Sequence, residues 1–174
     1  MKKQTLVLST IALFTLGFAQ TADRPDVLAA AHGRGAALSE DGRRGHIDFE
    51  AVRVKKDDKS EVKGRIKFEQ IANDKGRAVF IGVRMVGELK VTDNKAELAG
   101  PAVLETKGEN GPVRLEGRAV LMVIDQARPG QNNGDKKDGF RIRFKAKDSD
   151  RTFEFGGALR EGDFVVFKKQ GSGA

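Results

Sequence analysis

The chain has 174 residues, with 32 Lys and Arg against 25 Asp and Glu for a net charge of +7, eleven Phe, and no Tyr, Trp or Cys. The lack of Cys excludes disulfides, thiol catalysis, thiolate metal sites and a lipid anchor on a mature N-terminal Cys. The lack of Tyr and Trp removes the side chains that favour wet interfaces and ring stacking, while the mild basicity favours solubility and attraction to polyanions without specifying either.

Met1, Lys2 and Lys3 precede an apolar segment at about 6–18, and Gly17 and Ala19 place small side chains where a signal peptidase reads. A basic start, a short apolar core and a small-residue exit predict a cleaved secretory signal peptide over 1–19. The apolar core falls short of the ~20 residues that a membrane-spanning helix needs. Cleavage after Ala19 leaves 155 residues beginning at Gln20, and loss of Lys2 and Lys3 lowers the net charge to +5. No transmembrane segment is expected in the mature chain, and the expected localisation is secreted or periplasmic.

Residues 20–32 read as a leader or a short helix, with Pro25 near its start and Gly33 just past its end. Strands are predicted at 33–38, 46–54 and 62–68, separated by a turn at 39–45 and a charged hairpin at 55–60. Ile47, Phe49 and Ala51 share one face before Val52 and Val54 shift to the other, which predicts a bulge or a change of burial. Residues 77–86 are mostly apolar on both faces and predict an internal strand; 89–91, 96–100 and 102–105 follow. Pro101 lacks an amide donor and belongs at an edge or a bulge.

The stretch that organises the chain is 113–147. Its first strand, 113–124, ends in an unbroken apolar run from Ala119 to Ile124, which predicts burial on both faces. Its second, 140–147, alternates strictly between Phe140, Ile142, Phe144 and Ala146 on one side and Arg141, Arg143, Lys145 and Lys147 on the other, the mark of a strand with one buried face. Strands at 152–155, 156–159 and 164–167 complete the chain, with a turn at 160–163 and a disordered tail at 169–174. About nine or ten short strands with Gly, Asp and Asn turns predict an all-β fold, an antiparallel β-sandwich or alternatively a Greek-key barrel, as a single domain over 33–168.

Several short motifs then align. Glu-Leu-Ala-Gly at 97–100, Gly-Arg-Ala-Val-Leu-Met-Val-Ile-Asp at 117–125, Pro-Gly at 129–130, Asp-Gly-Phe-Arg-Ile at 138–142, Gly-Ala-Leu at 157–159 and Gly-Asp-Phe at 162–164 follow one another. In this pattern the chain resembles secreted bacterial β-proteins of the post-COAP domain type, over roughly residues 33–167. It departs from them by a longer polar loop at 131–137 and a more basic strand at 140–147. The resemblance implies a secreted β-sandwich module with no enzyme activity, and it carries over no catalytic residue.

Three constellations are candidates for chemistry. The loop 125–138 carries Asp125, Asn132, Asp135 and Asp138, oxygen ligands of the type calcium takes, but the spacing matches no calcium motif and Arg128, Lys136 and Lys137 would repel a cation. Capping of turn backbone by Asp and Asn is the preferred reading, and no cofactor is expected. Arg141, Arg143, Lys145 and Lys147 form a basic strand face that Arg114 and Arg118 could extend, a surface able to follow an anionic polymer. Its ordinary alternative is a solvated face, and no aromatic residue interleaves for base stacking. His32 and His46, even with Asp48 and Glu50 nearby, show no ligand spacing. No nucleophile elbow or phosphate loop is present.

The expected function is therefore a non-enzymatic module with a structural or interaction role at the cell envelope. Its expected partner is an anionic envelope polymer or another secreted protein. Binding of acidic polysaccharide or nucleic acid through the basic face is the alternative, and a carboxylate-based hydrolase comes third.

Overall fold

The computed structural model describes residues 26–56, 58–73, 77–108, 111–126 and 137–169. The expected signal peptide at 1–19, residues 20–25 of the expected leader, and residues 170–174 of the expected tail lie outside them. The described residues form nine strands and no helix: β1 (Asp26–Leu38), β2 (Arg44–Lys56), β3 (Lys59–Ile71), β4 (Val79–Val83), β5 (Glu88–Thr92), β6 (Lys95–Gly108), β7 (Gly111–Ile124), β8 (Gly139–Ala146) and β9 (Thr152–Lys168). All pairings are antiparallel. The strands make one sheet in the order β4-β3-β2-β1-β9-β8-β7-β6-β5, and an additional β4–β6 pairing returns the ladder on itself.

The all-β, antiparallel expectation therefore holds, with a largely meander connectivity in which sequence neighbours pair except β4 and β5, and β9 returns to β1. The sheet is strongly curled. Four strand spacings separate Phe68 on β3 from Phe140 on β8 in the sheet order, roughly 19 Å if the sheet were flat. Their ring centroids are 6.1 Å apart. The inward faces thus meet in a common core, where Phe49 and Phe164 pack edge to face at 5.1 Å and Phe68 lies 5.0 Å from Phe155. Most described Phe are core residues: Phe49, Phe68, Phe140, Phe144, Phe155 and Phe164 are buried, whereas Phe80 faces outward and Phe167 is exposed.

Four expectations are corrected. Residues 26–32 are not helical but the first half of β1. The alanines that favour a helix in isolation are wanted here for size, since Ala29 and Ala31 are buried between β2 and β9. The turn expected at 160–163 is a bulge inside one 17-residue strand. Arg160 is skipped between the Leu159–Ala37 and Glu161–Ala36 pairs, and Gly162 nearby takes a φ of 101° that an L side chain rarely adopts.

The apolar runs at 77–86 and 119–124 are buried on one face only. Ala119, Leu121 and Val123 point inward, whereas Met122 is 44% exposed opposite Arg141. Charged neighbours stand over some of these outward apolar residues, as Lys67 does for Phe80, whose ring centroid lies 5.9 Å from the ammonium. Lys169, expected in the tail, is tied to β1, with Nζ 2.8 Å from Asp26 Oδ1 and its amide on the Leu28 carbonyl.

Pro101 sits where its missing donor does least harm. It pairs with Arg118 of β7, while on its other edge β6 is paired with β5 up to Ala99 and with β4 from Val103 onward. The outward positions carry charges such as Arg34, Asp48, Glu50, Lys67, Arg141 and Arg143, where a membrane-spanning barrel would present an apolar band. Among the described residues no helix is long and apolar enough to cross a membrane.

Candidate binding site at one end of the curled sheet

Register places the two ends of the curled sheet. One end gathers the β5–β6 turn and the 125–138 connection, because Lys95 stands opposite Ile124. Asp125 and Asn94 are joined there by two 2.7–2.9 Å hydrogen bonds: the Asp125 amide donates to the Asn94 carbonyl, and Asn94 Nδ2 donates to the Asp125 carbonyl. This end is closed. β9 runs past the start of β8, so among the described residues its edge amides there have no strand partner. Asp138 Oδ2 accepts the Phe164 amide at 2.9 Å, and Asp125 Oδ2 accepts that of Val166 at 3.2 Å. Asp138 Oδ1 also accepts the Gln126 amide at 2.8 Å.

Two members of the expected calcium set therefore face backbone donors, which is strand capping. Asn132 and Asp135 lie outside the described residues, and among the described residues no group of three or more His, Asp or Glu could hold a metal. Asp163 stands beside Asp138. Partial desolvation, first, and the neighbouring Asp138 charge raise the Asp163 pKa above the ordinary carboxylate value.

The other end gathers the β1–β2, β3–β4, β6–β7 and β8–β9 connections, since Ile71 stands opposite Arg44, Val79 opposite Thr106, and Thr106 opposite Val113. Half of it is plugged. The Arg43 guanidinium lies 5.6 Å from the Phe155 ring centroid and donates to Gln70 Oε1 at 3.2 Å and to the Glu154 carbonyl at 3.1 Å. The other half is open.

β7 pairs with β8 only from Gly117 onward, and Lys147 donates its amide to the Glu116 carbonyl at 2.8 Å. Before Glu116 that edge of β7 has no strand partner among the described residues. Gly117 sits at the fork, so close to Lys145 and Phe144 that a Cβ would collide with both. The divergence leaves a recess of about 600 Å³. Its floor is the buried Val79, Leu104 and Phe144, and its walls are the half-buried Val113, Leu115 and Phe153. Arg77, Lys107 and Arg151 line its rim, and among the described residues no Asp or Glu lines it. Asp148 and Asp150 lie in the adjoining turn, outside the lining.

The basic strand face is geometrically real and largely paired. Arg118 stands opposite Lys145, and Arg141 and Arg143 point outward with it. However, Glu154 lies 3.2 Å from Arg141 and 2.9 Å from Arg143, and Glu88 lies 2.9 Å from Arg118. Arg114 points to Glu105 on β6, away from the other five. Lys145 and Lys147 have no ion pair among the described residues. His32 stands opposite Glu50 and His46 opposite Ala36, four register positions away, about 13 Å along the strands. The structure does not bring the two histidines together.

The open recess was not legible in the sequence. Arg77 and Arg151 belong to two different connections and Lys107 to the end of β6, and the closing β4–β6 pairing helps to set them round one opening. A usable signal was parity, because Val113 and Leu115 continue the inward register of Ala119 and Leu121 past the point where β8 ends. No protein-family model, curated protein or solved structure matches this chain.

Proposed function

We propose that this chain is a secreted, non-enzymatic β module that acts by binding at the cell envelope. The observation that carries the reading is the asymmetry of the two ends. At one end Asp125 and Asp138 cap the β9 edge amides of Val166 and Phe164, while the other end leaves apolar walls beneath a cationic rim. Half-buried apolar walls around a concave opening are what a binding site needs and what a purely structural module would fill. The signal-like start and the resemblance to secreted β-modules support the compartment.

The test has two parts. The exported protein should begin at Gln20 by N-terminal sequencing, and the purified mature chain should co-sediment with envelope fragments of the producing cells. Recovery of a cytoplasmic chain still beginning at Met1, or no retention on envelope fragments, would remove the reading.

A second reading, binding of an acidic polymer by the outer face of β8, draws on one observation. Arg118 and Lys145 stand side by side, and Lys145 and Lys147 have no described ion pair to release before they meet a polyanion.

A further inference from the structure

We infer that the recess takes a single-chain amphiphile with an anionic head, a carboxylate or a phosphate monoester. The tail lies against Leu104, Phe144, Leu115 and Phe153, and the head lies at Lys107 and Arg151. The inference rests on the binding-module reading and names the ligand class of that site.

Four observations carry it. The recess, about 600 Å³, falls in the ~300–1,000 Å³ range of small-molecule sites. Its floor is apolar and belongs to the core itself: Phe144 is 2% exposed and Leu104 5%. Its walls hold Leu115 and Phe153, packed on the core yet half-buried, so a tail entering there would complete the burial that the β7–β8 divergence interrupts. Among the described residues its charge is of one sign, since Arg77, Lys107 and Arg151 line it and no described carboxylate does. A neutral apolar ligand would use the floor and leave Lys107 and Arg151 unused, and a polyanion would use the cations and leave the floor idle. An anionic amphiphile uses both.

The slot between β7 and the β8–β9 hairpin adds to this. A second depression of about 570 Å³ on the outer surface, lined by Lys145 and Lys147, shares Phe144, Thr152 and Phe153 with the recess. A tail longer than the recess therefore has a sideways path along the same apolar residues.

The test is titration of the mature protein with 11-(dansylamino)undecanoic acid below its micelle concentration, a clean readout in a chain without Tyr or Trp. The expected result is saturable one-to-one enhancement, displaced by dodecanoate or dodecyl phosphate and not by dodecanol at equal concentration. Displacement by dodecanoate alone would point to a free fatty acid, and by dodecyl phosphate alone to a lipid phosphate monoester such as lysophosphatidic acid.

The K107E/R151E double variant changes exposed residues only and should weaken the anionic probe about tenfold, given that ligand charge pairs act at a partly desolvated rim. Leu115→Arg, checked for an unchanged far-UV circular dichroism spectrum, should abolish binding. Absence of saturable binding, equal displacement by dodecanol, or indifference to K107E/R151E would each overturn the inference. If the probe fails while the protein still co-sediments with envelope fragments, only the ligand class is lost. If co-sedimentation fails as well, the module reading goes with it.

Discussion

The Asp138 carboxylate accepts the backbone amide of Phe164 at 2.9 Å, a bond between residues 26 positions apart that substitutes for a missing strand. β9 extends beyond the start of β8, and an uncapped run of edge amides there would be both a desolvation penalty and a template for wrong pairing. Asp138 is 4% exposed and holds a second amide, that of Gln126, with its other oxygen.

Replacing Asp138 with Ala should leave both donors bare and destabilise the fold by about 2–4 kcal/mol, at roughly 1–3 kcal/mol per unsatisfied buried group. Asp125→Ala should cost less, because it releases the half-buried Val166 from a longer 3.2 Å contact. Urea unfolding followed by circular dichroism checks the order. Equal stability of Asp138→Ala and the parent would mean that the capping bonds contribute nothing.

Asp163 supplies a pH dependence of defined sign. Its pKa in the folded protein is raised, by desolvation first and by Asp138 second. Ionisation is therefore harder in the folded than in the unfolded chain. The resulting penalty is fully present above the folded pKa and disappears as pH falls below the ordinary carboxylate value. Asp163→Asn should accordingly raise the melting temperature slightly at pH 7, and the gain should vanish in acid, where the parent Asp163 is protonated in both states. A gain that grew on acidification would assign the wrong sign to the Asp138–Asp163 pair.

Chelation discriminates between the two readings of the 125–138 loop. Asp125 and Asp138 already spend oxygens on Val166, Phe164 and Gln126 amides. EDTA should leave the melting temperature unchanged. A fall of several degrees, restored by calcium, would make the loop a calcium site and turn the capping bonds into its supports.

What was legible in the sequence follows from period two. Strict alternation in 140–147 gave β8 its inward Phe140, Ile142 and Phe144 correctly, because a one-residue slip would expose all three. The same parity failed to tell one-sided from two-sided burial in 119–124. Val120 and Met122 are apolar yet face outward, beside the stems of Arg143 and Arg141, and composition cannot distinguish cover by stems from cover by a second layer. The helix reading of 26–31 failed because alanine's preference is weak against pairing with strands on both sides. The recess was hidden because it depends on where β8 stops relative to β7, and the fork glycine, Gly117, looks in sequence like any glycine in a strand.

Phe68 tests the curl itself. Its ring meets Phe140 at 6.1 Å, Phe153 at 5.8 Å and Phe155 at 5.0 Å, on strands far removed from β3 in the sheet order. Phe68→Ala should cost about 3–5 kcal/mol, the range for a fully buried aromatic. Phe80→Ala, an outward half-buried ring on β4, should cost far less. Similar losses for the two would be incompatible with a core that lies only on the inward face.

The outer face of β8 is decided by Glu154. One carboxylate serves both Arg141 and Arg143, at 3.2 and 2.9 Å, and exposed pairs of this kind are screened by salt. If the face is simply solvated, the mature protein should leave a heparin column below ~0.15 M salt, where screening over about 8 Å already suppresses surface attraction. Glu154→Gln should then move elution upward, because it frees two guanidiniums beside Lys145. If instead the parent elutes well above that salt, and neutralising Arg141, Arg143 and Lys145 together brings it down, polyanion binding becomes the leading function. Elution unmoved by Glu154→Gln would show that the carboxylate does not mask the arginines, and the whole stripe would have to be judged by Lys145 and Lys147 alone.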